Sequence, residues 1–356
     1  MIKYKVKLKG FSRSFLKKEW AVALSFIILL ACKKDMDQNP VPQEPFKGFY
    51  QPEHFPPILQ PFDVTKINEK SFALGKRLFY DPILSRDSTI ACGSCHIQAS
   101  AFTHHGHDVS HGIEDKLGRR NALPIQNLMW QKNFLWDGGI LNLELVAISA
   151  ITSPVEMDET LPNIVEKLKR SKVYPQMFKE AFGTNEITST KMLIALGHFM
   201  ALFISDKSKY DEVKRGKAQF TEQEQRGYNL FKQHCEACHR EPLFTDQSFR
   251  NNGLQHFFSI DKGRYEISLL DGDEGKFKVP SLRNIEITAP YMHDGRFSTL
   301  MDVLNHYSSG IQNYPNLDPL LINKIPLTVQ EKNDIIAFLK TLTDPSFIRD
   351  KRFSEF

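Results

Sequence analysis

The sequence contains few cysteines, sparse strand signals and no long apolar run. Its longest apolar stretch, AVALSFIILLA at residues 21–31, is shorter than the roughly 20 residues that cross a bilayer. Sparse strand signals disfavour an all-β fold, and the helical patterns at 161–182 and 189–205 indicate a mainly α protein. The formal net charge is only +4, and no basic nucleic-acid footprint follows the N-terminal region. These absences leave a helical protein that does not bind nucleic acid.

Residues 1–31 have the pattern of a secretory signal, a basic region followed by an apolar one. They contain seven basic side chains and one acidic side chain, and therefore account for all of the net positive charge. The stretch ends in LLAC, which resembles the lipobox of bacterial lipoproteins. We predict a lipoprotein signal peptide at 1–31, lipidation at Cys32 and a lipid-anchored position on the periplasmic side or in the cell envelope. The alternative is a short transmembrane anchor that stays on the mature chain.

Residues 32–61 are rich in proline and polar residues, which is typical of a tether. We therefore expect the first folded domain to begin near residue 62. The length beyond that point suffices for two domains of ordinary size.

Four of the five cysteines lie in two copies of Cys-x-x-Cys-His, CGSCH at 92–96 and CEACH at 235–239. A disulfide, a redox pair or a zinc site would explain the cysteines but not the adjoining histidines. Two thiols at this spacing can form thioethers to one porphyrin, and the histidine then ligates the iron. We predict two c-type haems. Their expected ligands and attachment residues are Cys92, Cys95, His96, Cys235, Cys238 and His239.

The flanks of the two motifs match each other. GKRLF at 75–79 parallels GYNLF at 227–231, and Phe-Thr follows each motif, at 102–103 and 244–245. This repetition indicates a duplicated cytochrome c module. We predict two tandem cytochrome c-like domains, 62–212 and 213–346, each with one covalent c-type haem.

Further motifs resemble those of the bacterial di-haem cytochrome c peroxidases, including their MauG branch. They are GRRN, LWDGG, SPVEM and GKFKVPSLRNIEITAPYMHDGRFSTL, and with the haem motifs they cover nearly all of residues 62–345. The resemblance implies reduction of hydrogen peroxide to water in the first domain. It also implies electron transfer through the second domain from a small cytochrome or copper protein, and it admits a homodimer.

The resemblance assigns roles to two residues near the first haem. Glu156 of SPVEM corresponds to the family's distal glutamate, which can move a proton between the two peroxide oxygens. Trp136 of LWDGG corresponds to the bridge for electrons between the haems. Read locally, Ser153-Pro154-Val155-Glu156 is also a capping box, and Trp136 could be a core residue, so these alternatives stay open.

A calcium ion between the domains is also implied by the resemblance. Its ligands would be the side chain of Asn121 and the backbone carbonyls of Thr288 and Pro290, which are oxygen donors of the kind that calcium prefers. The alternative is that Asn121 only shapes a turn after GRR.

Two positions depart from the pattern of many members. In many members a histidine blocks the first haem at rest. This chain has Ile113 at the corresponding position, so we expect its first haem to be open. A ligand from the nearby histidines remains an alternative, although a solvated loop is the simpler interpretation of His104, His105, His107 and His111.

The second departure is Tyr307, which replaces a methionine ligand of the second haem, as it does in MauG-like members. On an α-helix, Tyr307 shares an apolar stripe with Leu300, Val303 and Leu304, whereas His306 points away. A core tyrosine would satisfy the same pattern. The chain as a whole predicts a peroxidase; the alternatives are a MauG-like enzyme that oxidises a partner protein and a non-catalytic di-haem electron carrier.

Overall fold

The computed structural model describes residues 45–255 and 260–355, and the helices predominate. The α-helices are α1 (Glu69–Tyr80), α2 (Cys92–Cys95), α3 (Val146–Thr152), α4 (Leu161–Arg170), α5 (Tyr174–Phe182), α6 (Ser189–Ala201), α7 (Lys209–Lys214), α8 (Glu222–His234), α9 (Tyr265–Ser268), α10 (Leu300–Asn305), α11 (Val329–Lys340) and α12 (Pro345–Ile348). A π-helix, His306–Gly310, continues α10. In the described ranges the strands β1 (Phe249–Arg250) and β2 (Phe277–Lys278) form one antiparallel pair. The mainly α class is confirmed.

Helix ends follow the local sequence rules in several places. Thr221 and Glu224 form the expected capping box at the start of α8, where each side chain accepts a hydrogen bond from the other's backbone N–H. Pro162 lies in the first turn of α4, as predicted. The single helical pattern at 161–182 is divided between α4 and α5, because the chain breaks at Ser171 and Pro175 starts a new first turn.

The chain packs as one compact unit from Phe46 onward. Phe55 is buried, and the Trp130 indole N–H donates to the Pro56 carbonyl at 2.7 Å. His54 Nε2 lies 2.8 Å from a carboxylate oxygen of the buried Asp211. The part of the predicted 32–61 tether from Phe46 onward is therefore packed onto the folded body. The signal peptide at 1–31, Cys32 and residues 33–44 of that tether lie outside the described residues.

Two hydrophobic cores carry the two haem motifs. In the larger core α1 crosses α6, and a Cβ added at Gly75 of α1 would lie 1.9 Å from the Ala195 carbonyl oxygen. In the smaller core α8 crosses α11, and a Cβ at Gly227 of α8 would lie 1.8 Å from the Asp334 carbonyl oxygen. Each glycine thus permits the close crossing that positions the haem motif following its helix.

We expect Gly227→Ala to destabilise the protein by about 1–3 kcal/mol, because backbone atoms of α11 must move to admit the methyl group. The loss would occur although alanine favours a helix over glycine by about 1 kcal/mol. Chemical denaturation measures the change. Gly272→Ala is the matched control, since a Cβ there meets nothing within 4 Å. Equal stability of the two variants would contradict the close crossing.

Candidate functional site

The first motif lines a cavity of about 450 Å³, called here cavity 1. Its helix α2 presents Cys92 and Cys95 to the cavity, with His96 directly after it. His96 Nδ1 lies 2.7 Å from the Phe102 carbonyl oxygen, which can only accept, so Nδ1 carries the proton. The lone pair of Nε2 is therefore left to bind a metal, with its tautomer fixed by the backbone.

The second motif lines a cavity of about 210 Å³, cavity 2, in the same manner. His239 Nδ1 lies 3.1 Å from the Phe244 carbonyl oxygen. The Thr245 hydroxyl donates to the Val279 carbonyl at 2.6 Å, and the Thr103 hydroxyl makes the equivalent bond to Ala122. The two Phe-Thr pairs that match in the sequence therefore make equivalent contacts, and each pair helps to orient a histidine towards an apolar cavity.

The four cysteines of the motifs form no disulfide bond. Burial raises the pKa of Cys92 to about 12 and that of Cys235 to about 12. Burial likewise raises the pKa of Cys95 to about 11. Such thiols are protonated at neutral pH, which disfavours a reactive redox pair or a thiolate metal site.

Glu156 lines cavity 1 and does not act as a helix cap. It lies in a turn after α3, whose C-cap is Ser153, so it caps no helix. Its carboxylate accepts a hydrogen bond from the Ser110 hydroxyl at 3.1 Å. Burial raises the pKa of the Glu156 carboxyl, and the bond from Ser110 opposes part of that shift. Ser110 was not identified as a site residue from the sequence.

The loop that carries the histidines borders cavity 1 at Ser110 and His111. His111 Nε2 lies 3.1 Å from His107 Nδ1, and its Nδ1 lies 3.4 Å from an Asp115 carboxylate oxygen. Both ring nitrogens of His111 are thus engaged within the loop. Ile113 is fully buried, and its N–H donates to the Glu156 carbonyl at 2.7 Å, so the loop is attached directly to the segment carrying Glu156.

His104 and His105 differ in their surroundings. His104 is buried, its ring stacks on His107 at 4.2 Å, and its Nδ1 has no hydrogen-bond partner among the described residues. Burial lowers the pKa of His104 to about 4, so it is neutral at physiological pH. His105 is exposed. The solvated-loop interpretation therefore fits His105 but not His104.

Trp136 lines both cavities and so lies between the two haem motifs. Its indole N–H donates to the Asn121 carbonyl at 2.9 Å, and its own carbonyl accepts from the Lys278 backbone N–H at 2.7 Å. Its ring lies edge-on to His293, with centroids 6.4 Å apart. These contacts hold the indole at the boundary of the cavities.

Tyr307 lines cavity 2 together with the stripe expected on α10, namely Leu300, Val303 and Leu304. Burial raises the pKa of Tyr307 to about 12, and the Asn252 amide donates to its hydroxyl at 3.5 Å. His306, expected to point away from this stripe, does not line cavity 2; it is buried, and its Nε2 lies 3.0 Å from the Asn252 carbonyl oxygen.

Asn121, Thr288 and Pro290 all line cavity 2, and Asn121 also lines cavity 1. The Asn121 side-chain nitrogen donates to the carbonyls of His107 and Asp108, at 3.3 and 3.0 Å. Its amide oxygen is consequently directed away from those two carbonyls. In the described ranges, no cluster of three or more histidine, cysteine or acidic side chains could hold a metal ion.

Comparisons with known proteins agree with these features. A sequence profile of the di-haem cytochrome c peroxidase family matches residues 69–219. The methylamine utilization protein MauG of Methylorubrum extorquens is 33% identical over 305 residues, 83% of each chain. The cytochrome c551 peroxidase of Nitrosomonas europaea is 33% identical over 286 residues, 79% of this chain and 82% of that protein.

A solved structure extends the similarity to the three-dimensional fold. A MauG-like protein associated with microbial copper homeostasis superposes with a TM-score of 0.79 at 35% identity, over 87% of this chain and 99% of that chain. Fold, paired cavities and relatives together define an oxidoreductase whose family carries two haems. The chain belongs to the di-haem cytochrome c peroxidase family and is a peroxidase. Over residues 45–255 and 260–355, it has no helix long and apolar enough to span a membrane.

Proposed function

We propose that each cavity holds one covalent c-type haem, the first on Cys92, Cys95 and His96. Cys235, Cys238 and His239 would hold the second. The fit rests on free cysteine pairs beside apolar cavities and on imidazoles whose Nδ1 is bound to a backbone carbonyl. A bound haem iron supplies the redox centre at which peroxide is reduced. The larger core with cavity 1 would form the peroxidatic domain, and the smaller core with cavity 2 the electron-transfer domain, as the boundaries 62–212 and 213–346 predict.

We expect Cys95→Ala and Cys238→Ala each to impair haem attachment at one site only. Each variant loses one thioether, while the other cavity and its residues are unchanged. Mass spectrometry of peptides from the mature protein locates the attached haems, and the wild type should carry two. A disulfide between Cys92 and Cys95 in the mature protein would contradict the assignment.

The substrate that fits cavity 1 is hydrogen peroxide. The observation that carries this proposal is the buried Glu156 carboxylate, which lines the same cavity as His96 and accepts a hydrogen bond from Ser110. As a base, Glu156 takes the proton from the near peroxide oxygen, and as an acid it returns it to the far oxygen. With two electrons and two protons supplied in total, the products are two molecules of water. Peroxide consumption coupled to oxidation of a reduced small cytochrome tests this function, and purified protein that consumes none would refute it.

Electrons would enter through the second domain, from a small cytochrome or a copper protein. Tyr307 is the proposed second ligand of the second iron, and this is supported by its position in the cavity that His239 also lines. Its phenol is protonated in the buried site, and Tyr307 would give up this proton on binding ferric iron. Trp136, which lines both cavities, is the proposed bridge for electrons between the haems.

A calcium ion bound by Asn121, Thr288 and Pro290 would link the two domains. The donors are amide and carbonyl oxygens, which suit calcium, and all three residues line cavity 2, with Asn121 also lining cavity 1. We also propose that the protein acts on the periplasmic side of a membrane or in the cell envelope, lipid-anchored through Cys32, as the signal pattern and lipobox-like LLAC suggest. A homodimer is compatible with the family resemblance.

A MauG-like oxidation of a partner protein is the second candidate function. It is favoured by Tyr307 in cavity 2 and by the 35% identity to the MauG-like structure, which extends over 99% of that chain. The two functions differ in the fate of the oxidising equivalents. Peroxide added with a candidate partner should leave oxidised residues on that partner in a MauG-like reaction, whereas a peroxidase oxidises only the small electron donor. A plain electron carrier would do neither.

A further inference from the structure

Lys278 occupies an unusual place for a lysine. It is the second residue of β2, is only 5% exposed and lines both cavity 1 and cavity 2. Lysine is almost never buried to this degree without an ionic partner, because its ammonium group is strongly hydrated in water. A buried lysine at the boundary of two cavities therefore calls for a function beyond packing.

The side chain and backbone of Lys278 hold the segment that carries Trp136. Its Nζ donates to the Gln131 side-chain oxygen and to the Asn133 carbonyl, both at 2.9 Å. Its backbone N–H donates to the Trp136 carbonyl at 2.7 Å. Residues 131–136 are thus attached to one lysine at three points, and Trp136 lies at the end of that segment.

The charge of Lys278 has no ionic partner within 4 Å among the described residues, because both acceptors of its Nζ are neutral. The nearby Asp137 carboxylate is already bound by the Arg120 guanidinium and by the Gly139 N–H. Burial lowers the pKa of Lys278 to about 7, and Asp137 opposes part of that shift. Below neutral pH the region between the cavities therefore contains a positive charge that has no direct ion-pair partner among the described residues.

We propose that Lys278 is a positioning and charge-supplying residue for both haem sites: it fixes the Trp136 segment and places a positive charge between the haems that raises both reduction potentials. The inference rests on the proposed presence of one haem in each cavity. A positive charge favours the reduced, less positive form of an iron centre. The effect is large where the surroundings are apolar and water is excluded, whereas charges on the surface are screened.

The test compares Lys278→Met and Lys278→Gln with wild type by optical redox titration at pH 6, where the wild-type ammonium is protonated. The glutamine retains a hydrogen-bond donor but not the charge, and it also serves if the methionine variant folds poorly. We expect both variants to lower the potentials of both haems. Lys276→Met is the matched control, because Lys276 lies two residues away in a partly exposed ion pair with Asp273 and should leave the potentials unchanged.

Haem content is measured first, so that a failure of the proposed function can be distinguished from a failure of the role proposed for Lys278. A wild-type protein with fewer than two haems would refute the proposed function itself. With two haems present, unchanged potentials in both Lys278 variants would overturn the charge role. Potentials that fall in Lys278→Met but not in Lys278→Gln would also overturn it, because hydrogen bonding alone would then explain the effect.

Discussion

Glu156→Gln is expected to lower peroxidase turnover by about two to four orders of magnitude while leaving the fold intact. Glutamine keeps the size of the side chain and can still accept the bond from Ser110, but it cannot take up a proton at neutral pH. Because Glu156 caps no helix, little stability should be lost. Steady-state peroxide consumption and thermal unfolding of the same preparation measure both effects.

Glu159→Gln provides a control for charge, because its carboxylate pairs with Lys167 instead of lining cavity 1. Its turnover should stay near that of wild type. Burial raises the pKa of Glu156, so the basic form develops at higher pH than the roughly 4.3 of an ordinary glutamate. The rate of the wild-type reaction with peroxide should therefore rise with pH, and the midpoint of this rise should lie above the pKa of an ordinary glutamate. Loss of stability with unchanged turnover in Glu156→Gln would contradict the catalytic role.

Tyr307→Met is expected to raise the potential of the second haem and to make turnover depend on its prior reduction. A phenolate is a hard anionic ligand that favours ferric iron, whereas a thioether favours ferrous iron. Redox titration reports the potential, and peroxide assays begun with oxidised and with half-reduced enzyme report the dependence.

Tyr307→Phe is the matched control, since it keeps the ring that packs in cavity 2 but removes the oxygen. It should alter the optical spectrum of the second haem, whereas a tyrosine that only packs would leave the spectrum and the potential unchanged. A Tyr307→Met protein with wild-type potential would remove Tyr307 from the ligand set.

Much of the fold follows from local signals in the sequence. The capping box at Thr221 and the proline in the first turn of α4 act within one turn of chain, and the structure has both. The duplicated GxxLF pattern is explained by the close helix crossings at Gly75 and Gly227. The packing of residues 46–61 was not foreseen, because a proline-rich composition does not show that Phe55 has a core to enter.

The site was harder to predict where it depends on tertiary contacts. Nothing local marks Ser110 as the partner of Glu156, which lies 46 residues away in sequence. Lys278 could have been noticed as a lone charge between apolar residues in FKVP, but only the folded chain places it beside both cavities. The π-helix at His306–Gly310 was not foreseen either, because it cannot be recognised from its sequence pattern.

Rapid mixing of the fully oxidised protein with hydrogen peroxide, while the haem absorption spectrum is recorded, shows whether the first haem is open at rest. With Ile113 buried, both nitrogens of His111 engaged and Glu156 in cavity 1, we expect an immediate spectral change without added reductant. The same mixing with Glu156→Gln should give a much slower change. A wild-type spectrum that stays constant until one electron is supplied would contradict an open first haem and a tyrosine-ligated second haem.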